Sequence, residues 1–131
     1  LIGFIAGPIC YLMVAKVKAF FGYDDSLDAF GVHGAGGTLG AILTGVFASH
    51  YVNPIFKDAQ GNVLGSGLFD GNAHQLVNQF AGVVIAWVMA AAGTWVLLKV
   101  VDLTVGLRVS ADQEVQGLDL SQHGQEGYTF D

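Results

Sequence analysis

Charged residues are scarce in this chain, and long stretches contain none. Only 12% of its 131 residues are charged, whereas an average soluble domain has roughly a quarter. No Asp, Glu, Lys or Arg occurs within Leu1–Ala15, Ala29–Phe56 or Phe80–Leu98. Since a helix needs about 20 apolar residues to cross a bilayer, these stretches argue against a soluble protein and predict an all-α membrane protein.

Cysteine is almost absent, and basic residues are missing from the end of the chain. A single cysteine, Cys10, cannot form an intramolecular disulfide. From Val109 onwards every charged residue is acidic, which excludes a nucleic-acid-binding tail. The chain also lacks an initial Met and begins inside an apolar run, so we expect it to be a segment whose amino-terminal part precedes Leu1.

The apolar pattern divides the chain into a membrane part, 1–108, and a tail, 109–131. We expect three spans, at about 1–15, 27–51 and 73–106. Asp24, Asp25 and Ser26 offer side chains that can cap the second helix, and Asp28 adds negative charge to its first turn. Asn72 is the expected cap of the third helix, and Gly106 its expected end.

The connections predict an orientation in the membrane. Turn signals such as Asn53-Pro54 and Asp70-Gly71 make Tyr51–Gly71 a surface loop, long enough for a lid or a vestibule. Lys and Arg cluster in the first connection and after the third span, which places the tail in the cytoplasm and the long loop outside. In the tail, Ser110 and Gln113 fit a capping box whose helix would end at Gly117.

His33 is a titratable residue inside the second apolar stretch. It lies four residues before Gly37 on a stripe of small residues, so we expect its ring to face packed protein. Three interpretations are open: a buried histidine hydrogen-bonded to a neighbouring helix, a residue lining a path for a small polar solute, or a haem or metal ligand. The third interpretation needs a further ligand in the membrane plane, and the pattern offers none.

Three long motifs point to a family. They are DDSLDAFGVHGAGGTLGAILTGVFA at Asp24–Ala48, DLTVGLRVSADQEVQGLD at Asp102–Asp119 and HGQEGY at His123–Tyr128. With these motifs the chain resembles the carboxyl-terminal three-helix part of the ammonium transporter family (Amt/Mep/Rh), of the bacterial Amt type. The resemblance covers essentially the whole chain.

The resemblance implies a homotrimer of eleven-helix subunits with an inverted repeat, in the inner membrane with the carboxyl terminus in the cytoplasm. Ammonia derived from ammonium would pass through a hydrophobic pore in each subunit. His33 matches the second of two facing pore histidines. Asp28 matches a position at the cytoplasmic mouth, and Ala29 and Val32 match the turn of pore wall below the histidine. The family implies neither an enzymatic activity nor a cofactor, a metal or a nucleic-acid partner.

The tail matches the family's regulatory carboxyl terminus, which in many members binds a PII-type signal protein. The matching positions are Gly117, Asp119, His123, Gly124 and Tyr128. Gln125 stands where the family has a Glu, so the chain departs from the family at one polar contact of the tail. Two alternative functions remain at this point: an ammonium sensor with little flux, and a related channel for another neutral solute such as carbon dioxide or methylamine.

Overall fold

The computed structural model of the chain describes residues 1–54 and 57–127, which form an all-α structure with one isolated bridge between Lys57 and Val63. Three helices are long and apolar enough to cross a membrane: α1, Ile2–Phe21; α2, Phe30–Phe47; and α3, His74–Thr104. Two short helices follow, α4 at Ala111–Gln116 and α5 at Leu118–His123. By its contacts the chain forms two compact units, Leu1–Val88 and Met89–Asp131.

The first helix is longer than the run of uncharged residues predicted. It continues through Lys16 and Lys18 and ends at Phe21, where Gly22 takes the left-handed conformation with φ 63°. The expected end at about residue 15 was therefore wrong, because the lysines end the apolar run without interrupting the backbone hydrogen bonds. Glycine then supplies the conformation that stops the helix.

The second helix is shorter than the predicted 27–51. The carboxylate of Asp25 accepts the backbone N–H groups of Ala29 and Phe30, each at 2.9 Å, and so caps the helix as expected of this acidic cluster. Asp28, expected in the first turn, instead precedes the helix with φ 55°. That left-handed residue prevents the helix from beginning at Leu27.

Both α1 and α2 contain a π-helical segment, Met13–Val17 in α1 and Phe30–Ala35 in α2. In such a segment the backbone bonds span five residues instead of four, as the N–H of Lys18 does in reaching the carbonyl of Met13. The two segments contact each other. The sequence pattern did not predict them, since a period of 3.6 was assumed throughout.

The third helix follows its predicted course, and its end is the expected one. Gly106 has φ 82°, and its N–H bonds to the carbonyl of Val101. The side chain of Asn72 does not cap the helix as predicted, because its amide donates to the carbonyl of Gly65 at 3.0 Å. Asn72 thereby ties the beginning of α3 to the preceding loop.

The tail contains one predicted helix and one that was not predicted. Ser110 and Gln113 form the expected capping box of α4, and Gly117 follows its last residue. The chain then continues as α5, which ends at Gly124 with φ 62°. Glycines at 117 and 124 hid this helix in the sequence, although they serve as its two boundaries.

Candidate functional site

His33 lies in the π-helical first part of α2, on a face that this chain leaves open. The side chain is exposed, and within the residues that the structure describes its ring makes no hydrogen bond. These three helices do not cover the ring, so the expectation that it faces packed protein stays a prediction. Gly37, which was assigned to the same stripe, is also exposed, and a Cβ added there would meet no atom of the described residues within 4 Å.

The glycines that do pack against α1 are a different pair. A Cβ at Gly31 would lie 2.8 Å from Cγ2 of Val14, and one at Gly36 would lie 2.8 Å from Sγ of Cys10. Residues five apart diverge on an α-helix, but the wider π turn brings them to one side. His33 falls between them in the sequence and so points away from α1.

An ion pair stands at the beginning of α2. Nζ of Lys18 donates to Oδ1 of Asp28 at 2.6 Å and to the backbone carbonyl of Asp25 at 2.5 Å. The side chain of Asp28 is 37% exposed, so this carboxylate is paired yet accessible. Asp28 was predicted near the beginning of α2, whereas its partner Lys18 was not, because helix α1 was expected to end before it.

Ala29 and Val32 occupy the turn between Asp28 and His33, and both are exposed in this chain. The four membrane residues that the sequence singled out are thus neighbours along one short stretch of backbone, as their positions in the chain require. The carbonyl of Val32 additionally accepts a weak hydrogen bond from Sγ of Cys10 at 3.8 Å.

Three aromatic residues, Tyr23, Phe30 and Trp87, form a row that packs on the beginning of α2. The rings of Tyr23 and Phe30 pack edge to face with their centroids 5.7 Å apart. Phe30 packs on Trp87 of α3 in the same way, with a centroid distance of 5.8 Å. Nε1 of Trp87 donates to Oγ1 of Thr38 at 2.8 Å. Because Thr38 in turn donates to the carbonyl of Gly34, this row reaches the residue next to His33.

A buried carboxylate holds the opposite end of α2. Asp70, whose side chain is 4% exposed, accepts the backbone N–H groups of His50 and Ser66, each at 2.8 Å, and Nδ1 of His50 lies 2.7 Å from it. These hydrogen bonds, led by the two backbone N–H groups, lower the pKa of Asp70 to about 2. From the sequence alone Asp70 is only part of a turn, since nothing in the pattern connects it to His50.

The tail residues singled out in the sequence lie around α5. Gly117 precedes the helix with φ 97°, Asp119 lies in its first turn, and His123 is its last residue, followed by Gly124. The carbonyl of Asp119 accepts the N–H of Gln125. The remaining predicted residue, Tyr128, lies outside the described residues.

A separate ion pair precedes these residues in the second unit. Nε of Arg108 donates to Oε1 of Glu114 at 2.5 Å, and the hydrogen bond lowers the pKa of this carboxyl group. The pair links the segment after α3 to α4.

As for metal chemistry, residues 1–54 and 57–127 contain no group of three His, Cys, Asp or Glu side chains that could hold an ion.

The sequence profile of the Ammonium Transporter Family matches residues 1–128. The chain belongs to this family. It is 41% identical to the ammonium transporter of Bacillus subtilis and 46% identical to that of Aquifex aeolicus, and each match covers 98% of this chain. Ammonium transporter Amt1 of Archaeoglobus fulgidus is 41% identical over the same share. The chain spans 28% to 30% of the length of these relatives.

Membership of the ammonium transporter family fixes the general character of the molecule. The chain is part of the Amt fold, and α1, α2 and α3 are its candidate spans. It is therefore a segment of a multi-pass membrane protein, as the apolar stretches predicted.

Proposed function

We propose that this chain is the carboxyl-terminal part of a longer ammonium transporter and that His33 lines its conduction path. The observation that carries the proposal is the placement of His33. It is the titratable side chain of α2, it lies within an apolar span, and it is exposed between two glycines, Gly31 and Gly36, that pack on α1. An ionisable residue inside a membrane span is costly, so its presence favours a functional role over a structural one.

The chemistry of imidazole suits ammonia. A neutral ring donates a hydrogen bond from one nitrogen and accepts one at the other, and ammonia can both accept and donate. A bare ammonium ion in an apolar path would lose its hydration at great cost, whereas neutral ammonia would lose much less. We therefore propose that ammonium is deprotonated before it reaches His33, that ammonia passes along this residue and a second histidine upstream of Leu1, and that the proton follows a separate or coupled route.

The remaining residues take their roles from this path. Asp28, held by Lys18, would stand at the cytoplasmic mouth, and the exposed side chains of Ala29 and Val32 would line the wall between the mouth and His33. The distribution of Lys and Arg supports a cytoplasmic tail. We propose further that the subunits form a homotrimer and that the tail residues around α5 bind a PII-type signal protein.

The test is uptake of labelled methylammonium by cells that lack other ammonium transporters and express the full-length protein containing this chain. His33→Ala is expected to reduce the initial rate at least about tenfold, because a lost hydrogen bond of about 1.5 kcal/mol corresponds to roughly that factor. His74→Ala is the matched control, since His74 is exposed at the beginning of α3.

Uptake by His33→Ala at the wild-type rate, with equal protein in the membrane, would contradict a conducting role and return His33 to a structural one. If the wild-type protein itself carried no flux, while ammonium still changed a signalling output, the sensor hypothesis would replace transport.

A further inference from the structure

The geometry points to Cys10 and Gly36 as positioning residues that set the direction of the His33 ring through the π-helical segment of α2. This inference rests on the proposed role of His33 in conduction and adds two residues that do not themselves line the path. It concerns the contact between α1 and α2, where the Sγ atom of Cys10 occupies the space that a side chain at Gly36 would need.

The contact at Gly36 is close and involves one atom. A Cβ there would lie 2.8 Å from Sγ of Cys10, and among the described residues this sulfur is the single neighbour within 4 Å outside the helix's own backbone. The sulfur is placed by a single bond rotation, χ1, so it can give way only by changing its rotamer. Any residue larger than glycine at position 36 must therefore force Cys10 from its rotamer, move the two helices apart or turn α2.

The second contact of the pair, at Gly31, constrains α2 on the other side of His33. Gly31 is buried, and a Cβ there would meet both Cγ2 and the backbone N of Val14, at 2.8 Å and 3.3 Å. Cys10 and Val14 are four residues apart on α1 and so lie on one face of it. Two fixed points on one face of α1 thus hold the two glycines that flank His33.

The π-helical backbone is what allows both glycines to reach α1 at once. Gly31 and Gly36 are five residues apart, and an α-helix would turn them about 140° away from each other. The π segment Phe30–Ala35 removes most of that difference, which leaves His33 directed away from α1. The thiol of Cys10 also donates to the carbonyl of Val32, within the segment itself.

In enzymes, displacing a reacting group by about 1 Å lowers the reaction rate about 100-fold. Relieving the contact at Gly36 requires a shift of several tenths of an ångström, so we expect Gly36→Ala to lower the rate of methylammonium uptake roughly tenfold in the full-length protein. The decisive variant is the double substitution Cys10→Ala/Gly36→Ala. It removes the sulfur that the new methyl group meets, and it should recover uptake to within about threefold of the wild type.

Cys10→Ala alone removes the sulfur and its weak hydrogen bond to Val32 but keeps the glycine, and because it opens space instead of filling it, we expect a smaller loss of uptake than for Gly36→Ala. For every variant the rate is divided by the amount of protein in the membrane, so that a folding defect is not counted as a conduction defect. If Gly36→Ala does not accumulate, Gly31→Ala with and without Val14→Ala repeats the test at the other contact point.

The outcomes separate this inference from the proposal that it rests on. If His33→Ala abolishes uptake while Gly36→Ala and Gly31→Ala conduct normally, the positioning role is overturned and the conducting role stands. If Gly36→Ala is impaired and the double variant is not recovered, the sulfur contact is not what positions His33. If His33→Ala conducts normally, the proposed function itself fails, whatever the glycine variants do.

Discussion

The two ends of α2 are held in different ways. At the amino-terminal end, Gly31 and Gly36 rest on side chains of α1, and the ion pair between Lys18 and Asp28 is partly exposed. At the carboxyl-terminal end, close backbone contacts add to the packing of Gly45 on the side chains of Leu76 and Gln79. A Cβ at Gly67 would lie 2.6 Å from the carbonyl oxygen of Ala48, and the neighbouring carboxylate of Asp70 is almost fully buried.

This difference indicates which end can adapt. Side chains can change their rotamers by a small amount, whereas a backbone carbonyl at the end of a helix cannot move without the helix. The loop end of α2 is therefore the fixed end, and the end that carries His33 is adjusted by the residues of α1. Three substitutions test this comparison.

The largest effect is expected from Gly67→Ala. The added methyl group would meet the carbonyl oxygens of Ala48 and Gly45, at 2.6 Å and 2.9 Å. Overpacking typically costs about 1–3 kcal/mol, and because both neighbours are backbone atoms we expect a loss of about 3 kcal/mol. Thermal unfolding of the purified protein in detergent measures it, with the exposed Gln60→Ala in the same loop as control. If Gly67→Ala and Gln60→Ala had the same melting temperature, the loop end of α2 would not be rigid.

A smaller loss of stability is expected from Asp70→Asn. The N–H groups of His50 and Ser66 both bond to Oδ2, where the amide oxygen can replace the carboxylate oxygen. The loss arises because a neutral acceptor takes the place of an ionised one, whose hydrogen bonds are roughly twice as strong. Melting temperatures in detergent measure the loss, and Asp58→Asn, in the exposed turn at Gln60–Gly61, is the matched control.

The pH dependence of this loss follows from the pKa of Asp70. Folding lowers it from 3.8 to about 2, so the ionised carboxylate stabilises the fold fully above pH 3.8 and progressively less as the pH falls toward 2. The difference in melting temperature between the wild type and Asp70→Asn should thus shrink as the pH falls from 3.8 toward 2. A difference that grew over this range would contradict the sign of this pKa shift.

The smallest effect is expected from Lys18→Met, at the opposite end of α2. It removes the ion pair with Asp28 and the bond to the carbonyl of Asp25, but these groups are partly exposed and water replaces much of what is lost. The decrease in melting temperature should be less than for Asp70→Asn, and it should diminish in about 1 M salt, where the Debye length is about 3 Å. A salt-independent decrease would indicate a buried contact instead.

The sequence predicted the elements of this fold whose causes are local. Uncharged runs predicted three helices, Gly106 the end of α3, and Ser110 with Gln113 the beginning of α4. Each of these depends on residues within a few positions of one another, and the apolar pattern was strong enough to be read without knowledge of the neighbours.

What the sequence could not provide were the consequences of packing. The π-helical segments arise where α1 and α2 meet, and so the side of α2 on which His33 lies followed from Cys10 and Val14, far away in the chain. Asp70 also joins the two ends of the loop, but this role depends on its hydrogen bonds with His50, which is distant in the sequence. Predicting either feature requires the contacts between elements, which the spacing of residues along one helix does not contain.

The hydrogen bonds of Asp70 also have a consequence for the length of the loop. By joining residue 50 to residue 70 they fix the spacing of α2 and α3 at the ends of the connection, so the exposed turn at Gln60–Gly61 contributes little to it. An insertion there would disturb the local hydrogen bonds of Asp58 with Gln60 and Asn62, while the added loop length costs only about 0.6 kcal/mol of entropy for each doubling. This turn is consequently the place in the chain where an epitope tag or a variable insertion can be accommodated while the spans keep their arrangement.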